Sequence, residues 1–294
     1  MKLPTFNTII SHLLAGSLSC AVLVLGLGFL YYPRPEMPPT VAEEWPPELV
    51  LDASKLTAKA AVVYDPVSGT VLFAKNAEEP LPLASLTKLM SAETVLARAD
   101  QTKPITITSR DIASEGDWNF LVGESWSVGE LLRFGLVASS NDAIAAAAAA
   151  LGENPAELMN LEAQTLGLMQ SHFLNPTGLD VGPTTAGAYG SALDIAVLAG
   201  VFVRNYPELF GATVTPEVTI GSGERTLSAA STAVPLLSIP GLLGAKTGYT
   251  DLAGGNLVAA FDIEVGRPLI IAVLGSTREG RFEDVKTIIQ ALRN

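Results

Sequence analysis

The chain has 294 residues, of which 48% are hydrophobic and 16% are charged, and its formal net charge is −12. This length and apolar content allow one large folded domain or two small ones and exclude global disorder. The acidic balance, without a basic patch, argues against nucleic acid as a partner, and we attribute it to solubility. The single cysteine, Cys20, excludes an intramolecular disulfide and a zinc site built on cysteines, so no metal or other cofactor is predicted.

An apolar run over residues 9–32, preceded by Lys2, has about the length that spans a bilayer. It is either a cleaved signal peptide or a retained anchor. The apolar core of a signal peptide is usually shorter, about 7–15 residues, and no small-residue cleavage site closes this run. We therefore favour an anchor over residues 1–32, with the rest of the chain outside the cytoplasmic membrane. The proline-rich stretch 33–50 is typical of an extended spacer, and the folded domain is predicted over residues 51–294.

Strand-like composition at residues 60–64 and 70–73 predicts a hairpin with its turn at residues 65–69. A helix is then predicted from Ser85 towards residue 98. Ser85 would lie at its N-terminus, where free N–H groups and the helix dipole favour negative charge. The middle of the chain has helical spacing or composition, at residues 128–137, 142–151, 155–168 and 191–204.

Strands are predicted to return after residue 214, and a helix at 282–293 closes the chain. The clearest strands form an antiparallel meander, at residues 243–250, 256–263 and 269–274. Because strands at both ends of the domain flank a helical middle, we predict an α+β fold, an α-β sandwich. In this fold the first and last strands share one central antiparallel sheet, and the helical insert packs against it.

The tetrapeptide Ser85-Leu86-Thr87-Lys88 is the first of three motifs that indicate chemistry. A serine and a lysine three residues apart lie on the same face of a helix, so the amine reaches the hydroxyl and activates it as a nucleophile. For this role Lys88 must be neutral part of the time, which requires burial or a nearby positive charge such as Lys246. Taken alone, the tetrapeptide is equally typical of an ordinary helix N-terminus.

The second motif, Ser139-Ser140-Asn141, lies in a predicted loop between two helices. Ser139 is suited to relay a proton to a leaving amine, and Asn141 to hydrogen-bond Lys88 or a substrate backbone. A second, compatible role for the loop is helix capping, with Asn141 or Asp142 as the N-cap. The other candidate base is His172, whose setting resembles a structural turn, so a lysine base is preferred over a Ser-His-Asp arrangement.

The third motif, Lys246-Thr247-Gly248, lies on the predicted strand 243–250. Lys246 offers a cation for a carboxylate and Thr247 offers a hydroxyl. Gly248 leaves room for a substrate to lie alongside as an additional strand. The backbone N–H groups of Ser85 and Tyr249 are candidates for an oxyanion hole.

The three motifs, in this order, resemble those of the active-site serine penicillin-interacting enzymes. Among these, the sequence is most similar to the D-alanyl-D-alanine carboxypeptidases of the low-molecular-mass penicillin-binding proteins. The resemblance covers roughly residues 58–290, and its matching stretches are residues 84–90, 139–143, 172–180 and 246–250.

The resemblance implies a β-lactamase/transpeptidase-like fold and attack by Ser85 on the carbonyl between the two terminal D-alanines of a peptidoglycan stem peptide. The last D-alanine would leave, and water would release the acyl group from Ser85. β-Lactam antibiotics would acylate the same serine. By similarity, Arg281 matches a family arginine near the substrate carboxylate. Relatives often attach to the membrane through a C-terminal segment; here residues 9–32 are expected to bind the cytoplasmic membrane instead, on its outer face in the bacterial cell envelope.

Three alternatives to a carboxypeptidase remain at this stage. A DD-endopeptidase would cut peptidoglycan crosslinks with the same residues. A β-lactamase is less expected, because no assured deacylating carboxylate accompanies the motifs. A non-catalytic peptidoglycan-binding module is disfavoured, because all three motifs are intact.

Overall fold

The computed structural model describes Leu49 and residues 51–113, 116, 120–152, 154–223 and 225–293. Within these ranges, no helix combines the length and the apolar character needed to cross a bilayer. The N-terminal segment predicted as an anchor lies outside the described residues.

A five-stranded antiparallel sheet forms the centre of the fold. Its strands are β1 (Ala60–Asp65), β2 (Thr70–Lys75), β10 (Leu242–Thr250), β11 (Gly254–Glu264) and β12 (Arg267–Ser276). They lie in the order β10-β11-β12-β1-β2, so β10 is an edge strand. The register sets Val62 of β1 and Val258 of β11 on either side of Ala272 of β12. The prediction that the first and last strands share one sheet is confirmed.

Helices cover both faces of this sheet. In chain order they are α1 (Thr87–Leu96), α2 (Val128–Val137), α3 (Asn141–Ala149), α4 (Pro155–Thr165), α5 (Ala192–Asn205), α6 (Pro207–Ala212) and α7 (Gly280–Leu292). Helix α5 packs against β1, β11 and β12, while α7 packs against β11 and β12.

The alternation of side chains along the central strands creates two separate hydrophobic cores. Val62 and Ala272 point towards α5 and the helical insert. Their neighbours Val63 and Ile271 point to the other face and pack with Ile288 of α7. Successive residues of a strand face opposite sides, so a strand buried on both faces needs a continuous apolar run. The sequence of β1 and of β12 is of this kind.

Short strands that form smaller sheets outside the central one were not individually predicted. They are β3 (Leu81–Pro82), β4 (Pro104–Thr106), β5 (Ser125–Ser127), β6 (His172–Phe173), β7 (Ala188–Gly190), β8 (Glu217–Gly221) and β9 (Thr226–Ala230). Strand β7 pairs with both β3 and β6, β4 with β5, and β8 with β9. Segments of two to five residues are too short for a periodic pattern to be recognised.

Helix α3 begins one residue before the predicted start, and its cap differs from the prediction. Ser140 has an extended backbone conformation, and its hydroxyl accepts a hydrogen bond from the backbone N–H of Ala143 at 3.1 Å. The expectation that Asn141 or Asp142 would be the N-cap was therefore wrong. Asn141 is the first residue of the helix, and its side-chain oxygen accepts a hydrogen bond from Lys88 instead of capping the helix.

Candidate active site

Ser85 lies in a short 3-10 turn, Ala84–Leu86, that leads directly into α1. The residue before it, Ala84, has a φ of +48°, a conformation that residues with a Cβ seldom adopt. The turn is braced from the sheet, because the side-chain amide of Asn256 donates to the backbone oxygen of Pro82 at 2.9 Å. The side-chain oxygen of Asn256 in turn accepts from the backbone N–H of Gly275 at 2.8 Å.

The amine of Lys88 contacts the hydroxyl of Ser85. The Nζ atom of Lys88 lies 2.9 Å from Ser85 Oγ, 2.7 Å from Asn141 Oδ1 and 2.7 Å from the backbone oxygen of Thr177. The side chain is fully buried, at 0% exposure, and this burial lowers the pKa of Lys88 to about 7. The pKa falls because burial disfavours the charged form. Of the two causes that the sequence analysis offered, burial or a nearby positive charge, burial is the one that lowers this pKa.

The three oxygen atoms around Lys88 differ in what they can exchange with it. The carbonyl oxygen of Thr177 and the amide oxygen of Asn141 only accept hydrogen bonds, whereas the Ser85 hydroxyl also donates. A neutral amine has two N–H groups and one lone pair. With its N–H groups on the two obligate acceptors, its lone pair faces the Ser85 hydroxyl. This is the geometry that a general base needs.

A loop at residues 175–180 supplies the Thr177 carbonyl. The side-chain oxygen of Asn175 accepts from the backbone N–H groups of Thr177 at 3.1 Å and Gly178 at 2.7 Å, which curls the loop around this side chain. Gly178 has a φ of +79°, and a Cβ there would lie 2.0 Å from the backbone oxygen of Ala84. The glycine thus lets the loop pack against the Ser85 turn. Sequence reasoning missed Thr177, because a backbone carbonyl leaves no residue-type signal.

A second serine–lysine pair lies between the second and third motifs. The Nζ atom of Lys246 donates to Ser139 Oγ at 2.7 Å and to the backbone oxygen of Thr247 at 2.9 Å. Burial first, and then the positive charges of Lys88 and Arg281, lower the pKa of Lys246 well below its usual value. Ser139 itself has a φ of +60°, so the loop carries strain at the residue that meets Lys246.

Gly248 allows the edge strand β10 to pack closely against the Ser85 turn, residues 84–86. A Cβ at this position would lie 2.9 Å from the backbone oxygen of Leu83, 3.1 Å from the backbone nitrogen of Ser85 and 3.2 Å from that of Leu86. All three neighbours are backbone atoms and cannot turn aside. The sequence linked this glycine to room for a substrate, and the structure gives it a second role in close packing with the turn.

Arg281, at the start of α7, is tied to the same strand. Its Nη1 atom donates to the backbone oxygen of Gly248 at 2.6 Å, and its Nε atom is buried without a hydrogen-bond partner among the described residues. Burial and the neighbouring charge of Arg278 lower the pKa of Arg281 to about 10, against a smaller opposing effect of Glu279. The guanidinium therefore remains a cation at neutral pH.

The structure thus brings together the residues that the three motifs singled out. Direct contacts join Ser85 to Lys88, Lys88 to Asn141, and Lys246 to Ser139. Thr247 and Tyr249 flank Gly248 on β10; Thr247 is buried and Tyr249 is partly exposed. In contrast, His172 is exposed on β6 and pairs with Tyr189, away from these contacts. Asn256, which braces the turn, is a residue that the sequence analysis did not single out.

Two serine–lysine pairs with buried lysines, one of these lysines on the edge strand of a helix-flanked antiparallel sheet, define the class of serine acyl-transfer enzymes that interact with penicillin. The family model described as D-alanyl-D-alanine carboxypeptidase matches residues 48–278, and the chain belongs to this family. The predicted family and fold class are confirmed.

Individual relatives agree with this assignment. The chain is 32% identical over 242 residues to D-alanyl-D-alanine carboxypeptidase DacF of Bacillus subtilis, a match that covers 79% of this chain and 61% of that protein. The structure resembles the D-alanyl-D-alanine carboxypeptidase of Mycobacterium tuberculosis H37Rv with a TM-score of 0.73 and 28% identity, over 80% of this chain and 90% of the other. It also resembles the ampicillin-bound penicillin-binding protein D2 of Listeria monocytogenes, with a TM-score of 0.68 and 30% identity, over 81% and 98% of the two chains.

Proposed function

We propose that this protein is a serine D-alanyl-D-alanine carboxypeptidase that removes the terminal D-alanine from peptidoglycan stem peptides. The observation that carries the proposal is the contact of Lys88 Nζ with Ser85 Oγ at 2.9 Å. The other two partners of this amine are obligate acceptors, so its lone pair in the neutral form faces the hydroxyl. Family membership supplies the substrate class.

The first step is acylation of Ser85. The hydroxyl proton passes to neutral Lys88 as Oγ bonds to the carbonyl carbon between the two D-alanines, and the carbonyl oxygen becomes negatively charged. The backbone N–H groups of Ser85 and Tyr249 stabilise this oxyanion. The carbon–nitrogen bond then breaks. The leaving D-alanine takes up one proton through the hydroxyl of Ser139, and Lys88 returns to its neutral form.

The substrate carboxylate binds at the cationic end of the site. Lys246, Thr247 and Arg281 offer two positive charges and a hydroxyl there. The unpartnered and buried Nε atom of Arg281 supports this role, because a buried donor is stabilised when it gains an acceptor. Asn141 contributes to the site through its hold on Lys88, and Gly248 by bringing β10 against the turn.

Deacylation completes the cycle. A water molecule attacks the ester carbonyl and gives a proton to Lys88, the bond between the acyl carbon and Ser85 Oγ breaks, and Oγ recovers the proton. The shortened peptide leaves with a free carboxylate. β-Lactams acylate Ser85 in the same way, but their acyl-enzyme deacylates slowly.

The cellular setting is part of the proposal. We place the enzyme in the bacterial cell envelope, with residues 1–32 as the membrane segment, 33–50 as the spacer and 51–294 as the catalytic domain. The hydrophobic run 9–32 in the sequence and the substrate class of the family support this arrangement.

The decisive experiment is the intact mass of the full-length protein after brief exposure to penicillin, with the adduct located by digestion. A lasting adduct on Ser85, absent from the Ser85→Ala variant, supports the acyl-serine mechanism. Release of D-alanine from a peptide ending in D-Ala-D-Ala then separates a carboxypeptidase from an endopeptidase that cuts only crosslinked peptides. Rapid destruction of the drug without an adduct would indicate a β-lactamase. Intact drug and no adduct would contradict the proposal and indicate a binding module.

A further inference from the structure

A cavity of about 510 Å³ lies at the C-terminal end of β10. Its walls come from the 175–180 loop, from the end of β10 and from the segment before α7: Leu179, Asp180, Tyr249, Thr250, Asp251 and Arg278. Its volume falls in the range of about 300–1,000 Å³ that is typical of small-ligand sites. The catalytic steps proposed above use only Tyr249 among these residues, and only its backbone.

Arg278 lines this cavity, and its guanidinium forms no ion pair with another described residue. Its central carbon atom lies 4.0 Å from the centre of the Tyr249 ring, within the range of a cation–π contact. No carboxylate among the described residues lies within 4.0 Å of it. A guanidinium held against an aromatic ring still has N–H groups that can bind a carboxylate with two parallel hydrogen bonds.

Two carboxylates line the same cavity. One oxygen of Asp180 accepts a hydrogen bond from the Thr250 hydroxyl at 3.1 Å, which orients the group. The Asp251 side chain is exposed and forms no ion pair with another described residue. The cavity therefore offers one cation and two anions, none of which is in close ionic contact with another residue that the structure describes. Such a set suits a ligand that itself carries both an amine and a carboxylate.

The pairing of a substrate peptide with the edge strand β10 determines which substrate residue lies beside the cavity. β10 is an edge strand of the central sheet, and a peptide can extend the sheet beside it. The substrate carboxylate lies near Lys246 and the reacting carbonyl lies between Ser85 and Tyr249. The residue upstream of the two D-alanines then lies beside the next positions of β10, which open into the cavity.

We propose that this cavity binds the side chain of the residue preceding the two D-alanines and selects a side chain that bears both an amine and a carboxylate. The inference rests on the proposed function, because that function fixes the direction of the peptide. Arg278 binds the carboxylate, and Asp180 and Asp251 bind the amine.

The test uses three synthetic peptides that end in D-Ala-D-Ala and differ in the preceding residue. That residue is diaminopimelyl, which has an amine and a carboxylate, lysyl, which has the amine alone, or acetyl-lysyl, which has neither charge. For Arg278→Gln we expect kcat/KM to fall about tenfold for the diaminopimelyl peptide and to stay within about twofold for the others. For Asp251→Asn we expect a several-fold loss for both amine-bearing peptides and none for the acetylated one. The control is Arg133→Gln, which removes an exposed arginine of α2 outside the cavity and leaves all three values unchanged.

An equal loss with all three peptides in Arg278→Gln would overturn the inference, since Arg278 would then act only by supporting Tyr249. Binding of the same peptides to the Ser85→Ala variant, followed by ligand-observed NMR, keeps the inference separate from the proposed function. If the wild-type protein cleaves no peptide but the variant prefers the diaminopimelyl peptide, the catalytic proposal fails and the cavity assignment stands. Cleavage without any preference would contradict the cavity assignment alone.

Discussion

Two fully buried lysines, Lys88 and Lys246, are the most unusual individual residues of this protein. Burying an ammonium group away from water costs several kcal/mol unless it is well paired, and neither lysine has a carboxylate within 4.0 Å among the described residues. Their partners are neutral oxygens from hydroxyl, amide and carbonyl groups. Burial lowers the pKa of both lysines, and such perturbed pKa values are concentrated at functional sites.

The first prediction concerns the pH dependence that follows from Lys88. Burial lowers its pKa to about 7, so the neutral form becomes the majority as pH rises through this value. The rate of Ser85 acylation by a fluorescent penicillin should therefore increase from about pH 6 to pH 8 and then level off. The Lys88→Arg variant, whose guanidinium stays charged, should be slower by a factor of about 10²–10⁴ throughout this range.

The matched control is Lys286→Arg, which changes a lysine at the surface of α7 and should keep the wild-type profile. A wild-type rate that does not change between about pH 6 and pH 8, with normal folding, would mean that Lys88 is not the titrating base.

At the level of elements, the contact between β10 and the Ser85 turn decides whether the site is assembled. The second prediction is that Gly248→Ala separates them, because the added methyl group would lie 2.9–3.2 Å from three backbone atoms of residues 83–86. We expect the acylation rate to fall at least about a hundredfold, since a displacement near 1 Å costs about that much. Circular dichroism should still show the native fold.

Gly182→Ala is the control for this substitution, because a Cβ at Gly182 meets no atom within 4 Å and its backbone is not in the left-handed region. Its acylation rate should equal that of the wild type. Near-normal acylation by Gly248→Ala would show that the turn adjusts to the strand and that the packing described here is not required.

The elements that could be predicted from the sequence are those with strong local patterns. The bounds of α2 match the prediction, and the long apolar strands of the central sheet were located within a few residues. Short strands such as β3 and β7 were not predicted, because each pairs with a segment that is far away in the chain. The cap of α3 was misplaced because three neighbouring residues, Ser140, Asn141 and Asp142, are all good capping types and only the backbone conformation selects one.

The same distinction applies to the candidate site. The motif residues were identifiable because their chemistry requires particular side chains at fixed spacings. Thr177 and Asn256 were not identifiable, since the first acts through a backbone carbonyl and the second through contacts with Pro82 and Gly275. Such supporting contacts depend on which segments the fold brings together, and no local spacing encodes them.

At the scale of the whole molecule, a second group of ionisable residues affects stability rather than the proposed chemistry. Glu93 of α1 is buried, and one of its carboxyl oxygens has no hydrogen-bond partner in the described part of the chain. Burial and the nearby carboxylate of Glu162 raise the pKa of Glu93 to about 7, against a smaller opposing effect of Arg98. Arg98 forms an ion pair with Glu162 at 2.5 Å, so it is already engaged.

The third prediction follows from this raised pKa. In the unfolded chain Glu93 loses its proton near pH 4.5, whereas in the folded protein it keeps the proton up to about pH 7. Between these values the folded state binds more protons, so the free energy of unfolding falls as pH rises, by up to about 3 kcal/mol. Glu93→Gln should remove this fall and should raise the midpoint of thermal unfolding at about pH 8 by several degrees.

The measurement is thermal unfolding of both proteins at about pH 5 and pH 8, with Glu157→Gln as a control because Glu157 is exposed on α4. Glu93→Gln should differ little from the wild type at the lower pH. An equal shift at both pH values would attribute the effect to packing and not to the charge of Glu93.

The central sheet contains strands from both ends of the domain, and this determines when the site residues come together during synthesis and folding. β1 pairs with β12, and the carboxylate of Asp284 holds the backbone N–H of Thr57, 227 residues away in the sequence. A topology with such high contact order folds slowly, because distant segments must meet before their contacts stabilise anything. Ser85 and Lys88 would emerge early from the ribosome, but they meet Lys246 and Arg281 only when nearly the whole polypeptide is available. A partly synthesised chain therefore lacks the complete site, and the chemistry proposed for Ser85 becomes possible only after the central sheet has closed.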